Sequence, residues 1–190
     1  MEYRPLVFVA WLLVLPSVQG GQSSPLQPST TQPQSAPAPD LSPRVPPAKP
    51  EDVKSIDAVL RAVYDVISGP AGQKRDWDRM RSLFYPGARL IPARPTPEGG
   101  AQAIVLSVDD YIQRSQGALE KGFFENEIRR ETQTFGNIAQ VFSTYESRRA
   151  PGEKPFARGI NSFHLLQDGK RWWVVTIFWD SERPGNPLPQ

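Results

Sequence analysis

The chain reads as an α+β protein whose folded part lies in residues 51–190. Three observations carry that reading. Apolar residues recur at three- and four-residue spacing in segments 52–67, 76–84 and 107–122, then at two-residue spacing from 123 onward. Turn signals at Gly136-Asn137 and Asp168-Gly169 divide the alternating stretch. Helices first and strands after suit helices laid on one face of a mostly antiparallel sheet.

Segment 52–67 is predicted to be one amphipathic helix. Val53, Ile56, Val59, Leu60, Val63, Val66 and Ile67 share a face, and Lys54, Asp57, Arg61 and Asp65 lie opposite. Gly69-Pro70 ends it. Asp76 is placed to cap a second helix that runs to Phe84, with Trp77, Met80 and Leu83 on its apolar face. The Asp76/Asp78 pair reads as capping rather than as an acid/base couple. Ala88 to Ile91 reads as a short strand, and 92–106, with three prolines and two glycines, as a loop. Ser107 starts the third helix, where Asp109 and Asp110 suit the positive end of the helix dipole, and Gly122 closes it. Its expected inner stripe is Val108, Tyr111, Ile112, Ser115 and Leu119.

The strands follow. Segments 123–134 and 138–149 flank Gly136-Asn137, a turn that is expected to pair Thr134 with Ala139, Arg130 with Ser143 and Ile128 with Tyr145. Phe124, Ile128, Ala139, Val141 and Tyr145 then form the buried face, and Glu125, Glu127, Arg129, Glu131, Gln140 and Glu146 the solvated one. Segments 159–167 and 170–180 flank Asp168-Gly169, a tight turn that would pair His164 with Trp173. The last strand is apolar on both sides in its middle, as a strand covered on both faces would be.

The first fifty residues are of another kind. The apolar run Leu6–Leu15 follows Arg4, is broken by Pro16, and leads to Val18 and Gly20 ahead of Gly21. That order matches a secretory signal peptide over 1–20, cleaved before Gly21, and the run is too short to span about 30 Å of hydrocarbon as a helix. The alternative is an uncleaved N-terminus that anchors the chain to a membrane. Nine of the 21 prolines fall between Pro25 and Pro50, among Ser, Gln, Thr and Ala. Residues 21–50 therefore read as a disordered, extended tether, with 51–190 as the domain. The expected localisation is export, to a periplasm or the extracellular space.

Composition excludes several chemistries. The chain has no cysteine, so disulfides, thiolate metal sites and cysteine nucleophiles are out, and its single histidine rules out a histidine-rich metal site. The net charge of +2 gives no field for nucleic acid: from residue 51 onward, 19 Lys and Arg face 18 Asp and Glu. The Arg129-Arg130 and Arg148-Arg149 pairs are split across two faces by strand alternation, so neither makes a basic patch.

The stretches DWDRMRSLFYPGARLI (76–91), IAQVFSTYESR (138–148) and GINSFHLLQDGKRWWVVTIFWD (159–180) resemble the nuclear transport factor 2-like superfamily. This is the cone-shaped fold shared by ketosteroid isomerase and SnoaL-type proteins, and the resemblance covers about 52–182. It implies three helices packed on a strongly curved sheet, with a ligand pocket at the open end of the cone. It leaves function open, because the superfamily holds isomerases, dehydratases, hydrolases and non-catalytic domains. The aspartate base and tyrosine-centred oxyanion hole of ketosteroid-isomerase-like members have no residue-by-residue match here. The pocket set expected on inward positions is Arg130, Ser143, Tyr145, Ser162, His164 and Trp173. No cofactor or metal is expected. The expected task is binding of a small apolar molecule without catalysis, by a homodimer. The alternatives are proton-transfer chemistry of the isomerase or dehydratase type, and a purely structural or interaction module.

Overall fold

A computed structural model describes residues 45–189. The signal-peptide expectation and the tether expectation up to residue 44 lie outside those residues; of the tether's last six, 45–49 form no helix or strand and Pro50 already opens a helix. Among the described residues no helix is long and apolar enough to cross a membrane.

The first helical segment is two helices, α1 (Pro50–Val53) and α2 (Ile56–Ile67), rather than one. Ser55 divides them. Its backbone is extended and its hydroxyl accepts the Ala58 N–H at 3.1 Å, so it acts as the cap of α2. The buried side of α2 holds Val59, Leu60, Val63, Val66 and Ile67 of the expected stripe and also Tyr64, while Val53 lies in α1 and Ile56 is only partly buried. Helix α3 (Trp77–Leu83) is capped by Asp76, which accepts the Arg79 N–H at 2.9 Å.

Strand β1 runs over Phe84–Pro95, well beyond the four residues expected. With β2 (Ala101–Ala103) it forms a hairpin within the stretch read as a loop. Proline is tolerated because the Pro92 carbonyl accepts from Ile104, at 3.1 Å, and no N–H is demanded of it. Helix α4 (Val108–Leu119) opens on a reciprocal cap: the Ser107 hydroxyl accepts the Asp110 N–H, and the Asp110 carboxylate accepts the Ser107 N–H.

Then come β3 (Phe124–Phe135), β4 (Ile138–Arg148), β5 (Ala157–Gln167) and β6 (Trp172–Ser181). The sheet order is β2-β1-β6-β5-β4-β3, with only the β1–β6 pair parallel. The α+β, mostly antiparallel architecture is as expected. The core lies between the helices and the inner sheet face, around Leu60, Val63, Leu83, Phe84, Val141, Phe163, Leu165 and Val174.

Two bulges decide which side chains face that core. In β3, Glu127 pairs with Tyr145 and Arg129 with Thr144, which leaves Ile128 as the extra residue. In β6, His164 pairs with Thr176 and Leu165 with Val174, which leaves Val175 as the extra one. Each bulge bends its strand and exchanges the faces beyond it.

Candidate functional site

The β3 bulge reverses the expected faces in the first half of that strand. Glu125 and Glu127 point inward, and Ile128 is 46% exposed. Beyond the bulge Arg130 is inward and pairs with Ser143, as expected. Strand β4 is regular, so Ala139, Val141, Ser143, Tyr145 and Ser147 all face in and are buried.

A cavity of about 300 Å³ lies between α2, α4 and the inner sheet face. Its wall includes the aromatic rings of Phe84, Tyr111, Phe123, Phe163 and Trp179. Into it project Glu125, Asn161, Ser147, Tyr64 and Tyr145, and Arg94 stands among the lining residues. Glu125 is the centre of the polar set. Its carboxyl accepts from the Ser147 hydroxyl at 2.8 Å and from the Asn161 amide at 3.3 Å. The same amide donates to the Tyr64 hydroxyl at 3.1 Å. Tyr64 lies 2.6 Å from the Ser143 hydroxyl, which gives its one proton to Glu127, so Tyr64 donates to Ser143. Glu127 accepts from Arg130 at 2.7 Å, and Arg130 reaches Asp57 on α2.

Burial dominates the electrostatics. It pushes the Glu125 carboxyl up from about 4.5 to about 7, against the lowering effect of the bonds from Ser147 and Asn161. Near neutral pH this carboxyl therefore exists in both protonation states. Burial also raises the hydroxyls of Tyr64, Tyr111 and Tyr145, so all three stay protonated donors. For Tyr145 the bond with Ser181 and the Arg94 charge pull the other way.

Of the six residues expected in the pocket, Tyr145 lines this cavity. Ser143 is buried beside it and acts through Tyr64. Arg130 faces inward but is taken up by Glu127 and Asp57. Ser162, His164 and Trp173 lie on the outer face instead. Ser162 sits between Phe142 and Phe178. His164 is exposed beside Gln140 and Thr176. The expected His164–Trp173 pairing fails because the turn is a four-residue loop, 168–171, which pairs Trp173 with Leu166. The Asp168 carboxylate accepts the N–H groups of Lys170 and Arg171, each at 2.8 Å, and fixes that loop. Trp173 donates to Asp168 at 2.7 Å and carries the Arg171 guanidinium on its ring, 3.6 Å from the centroid. Among the described residues no group of three or more His, Cys, Asp or Glu side chains is arranged to hold a metal ion.

The residues missed are Glu125, Tyr64, Asn161, Ser147, Tyr111 and Arg94. Tyr64 follows Leu60 by four and belongs to the same helical face, so spacing could have found it. Glu125 could not be found from alternation, because an unseen bulge sets its side.

Helices on the concave face of a bulged sheet, closing over an inner cavity, make the architecture specific enough to compare. It aligns with a protein of cystatin-like fold from Nostoc punctiforme PCC 73102, with a TM-score of 0.52 and 12% identity over 70% of this chain and 92% of that one. It aligns equally with a candidate dehydratase of the nuclear transport factor 2-like family from Streptomyces avermitilis, with a TM-score of 0.51 and 11% identity over 70% and 96%. The fold is the nuclear transport factor 2-like cone. A protein of cystatin-like fold from Caulobacter vibrioides matches this cone at a TM-score of 0.50 and 14% identity, over 70% and 90%. No protein-family model matches the chain. No curated protein matches it in sequence either. At such identities the cone is shared and the cavity chemistry is this chain's own.

Proposed function

We propose that the domain takes a small, largely apolar molecule into the cone cavity and that Glu125 exchanges a proton with it. The carrying observation is a carboxyl poised near pH 7 in an aromatic cavity, held by Ser147 and Asn161. The non-catalytic reading rested on the absence of a recognisable inward acid/base set, and Glu125 removes that ground. In the proposed step the Glu125 carboxylate removes a proton from a carbon beside a carbonyl of the bound molecule. The negative charge then moves to the carbonyl oxygen, where a protonated tyrosine such as Tyr145 donates a hydrogen bond. Glu125 returns its proton to another carbon, which isomerises the molecule, or to a departing hydroxyl, which leaves as water. The candidate dehydratase with this fold supports that class of reaction.

The test needs no knowledge of the natural substrate. 5-Nitrobenzisoxazole is small enough for the cavity, and its ring opens when a base removes one carbon-bound proton. The wild-type rate is expected to rise with pH through about 7, and Glu125→Gln to lose roughly a hundredfold or more. An unchanged rate in that variant would sink the proposal.

A second reading concerns the outer sheet face, where Phe142 and Phe178 are each 46% exposed. An apolar strip there supports a homodimer. Export of the domain stays a proposal on the Leu6–Leu15 run, to be checked by sequencing the N-terminus of protein secreted by its source.

A further inference from the structure

The inward positions of β1 are Ala88, Leu90, Pro92 and Arg94, and the first three are buried. Arg94 continues that register past the edge of the core and lines the cavity. Arg94 is exposed, and among the described residues its guanidinium has neither a carboxylate within ion-pair distance nor a hydrogen-bond acceptor; Arg61 and Arg114 are unpaired too, but only Arg94 of the three lines the cavity. Its charge nevertheless reaches the Tyr145 hydroxyl inside the cavity. An arginine at an inward register, with its fork unfilled and an aromatic wall beside it, is built like the anion-binding end of a pocket.

Glu125 stands far from it in the sheet. Arg94 is on β1 and Glu125 on β3, with β6, β5 and β4 between them. At about 4.8 Å per strand that is roughly 19 Å measured along the sheet, and less across the concave face. The two groups therefore mark opposite sides of one cavity lined by aromatic rings and polar side chains. We infer that the molecule bound in the cone is an organic carboxylate, whose anionic end pairs with Arg94 at the rim while its apolar body lies along Phe84, Tyr111, Phe163 and Trp179. This rests on the cavity being the ligand site, and names the class of ligand it takes.

The probes are 6-phenylhexanoate and its uncharged amide, 6-phenylhexanamide, titrated calorimetrically into the full chain and into Arg94→Gln and Arg94→Lys. The wild type is expected to favour the carboxylate by about fivefold, as befits a half-solvated ion pair. That preference should fall with added salt, vanish in Arg94→Gln and survive in part in Arg94→Lys. Equal binding of both probes to the wild type, or a preference unmoved in Arg94→Gln, overturns the carboxylate inference and leaves the cavity as a ligand site. Failure of both probes to bind overturns the inference and the cavity reading together.

Discussion

Ser147 donates a 2.8 Å hydrogen bond to Glu125, the residue directly opposite it in the β3–β4 ladder. With the longer bond from Asn161, it supports a carboxyl that burial would otherwise leave without donors. Between about pH 4.5 and 7 the folded chain keeps a proton on Glu125 that the unfolded chain has lost. Stability is then greatest below the unfolded value and falls as pH rises through the folded one. Chemical denaturation across that window should show a loss of roughly 1 to 3 kcal/mol from this group. In Glu125→Gln the amide does not titrate, so that part of the slope should disappear. A variant with the wild-type slope would show that Glu125 is ordinary.

Removing the hydroxyl tests the same relationship from the other side. The Ser147 bond favours the ionised carboxyl, so Ser147→Ala should push Glu125 above its wild-type value. Carbon-detected NMR titration of the glutamate carboxyls would report this directly. The pH at which 5-nitrobenzisoxazole turnover rises should move up with it. A midpoint that stays put would mean that Ser147 has no hold on the charge.

The general plan was legible in the sequence because it depends on periodicity and on short turn signals. Asp76 and Ser107 announce their caps, and Gly136-Asn137 sets the β3–β4 hairpin so that Arg130 meets Ser143. The site was much less legible. Ile128 looks like an inward residue in a regular strand, yet the bulge sends it out and brings in Glu125 and Glu127. A bulge satisfies the curvature of the whole sheet, and no local pattern encodes it. The Asp168 loop shows the same limit: Asp-Gly marks the turn but not that it spans four residues, and His164 loses its expected partner.

Gly159 is held glycine by Tyr145. A β-carbon there would come within 2.6 Å of the Tyr145 hydroxyl and 2.3 Å of the Asp180 carbonyl. Backbone cannot yield as a flexible side chain can, so Gly159→Ala should lower stability by roughly 1 to 3 kcal/mol. It should also displace Tyr145 from Ser181, its 3.1 Å partner, and weaken probe binding in the cavity. Thermal unfolding and calorimetric titration would read the two effects separately. Undiminished stability would mean that the strands part without cost.

Arg79 ties the helices together at the back of the core. Its guanidinium grips the buried Asp52 carboxylate with two bonds, at 2.8 and 2.9 Å, and also reaches Asp65. The Arg79 bond holds Asp52 below its ordinary 3.8. That stabilisation is present above the unfolded value and is lost as pH falls through the lower folded one. Arg79→Met keeps the apolar stem but strands the carboxylate, and should cost roughly 2 to 4 kcal/mol at neutral pH. The deficit against wild type should shrink as the solution is made acid, because protonated Asp52 no longer needs the cation. A deficit that stays constant down to pH 3 would locate the loss in packing instead.

The outer face offers the last test. Phe142, Ser162 and Phe178 form one row across β4, β5 and β6, with both rings about half exposed. Two such rings, each already half buried, would each contribute about 1 kcal/mol to association when covered by a second copy. Replacing both, as Phe142→Glu with Phe178→Glu, puts like charges at a two-fold contact and should weaken the dimer more than a hundredfold. The cavity lies on the other face, so 5-nitrobenzisoxazole turnover per chain should persist in the monomer. Light scattering across a dilution series would follow the mass. A wild type that is monomeric at every concentration would remove the dimer reading and leave the strip without a partner, while turnover lost along with the dimer would mean that the second copy helps to hold the cone in shape.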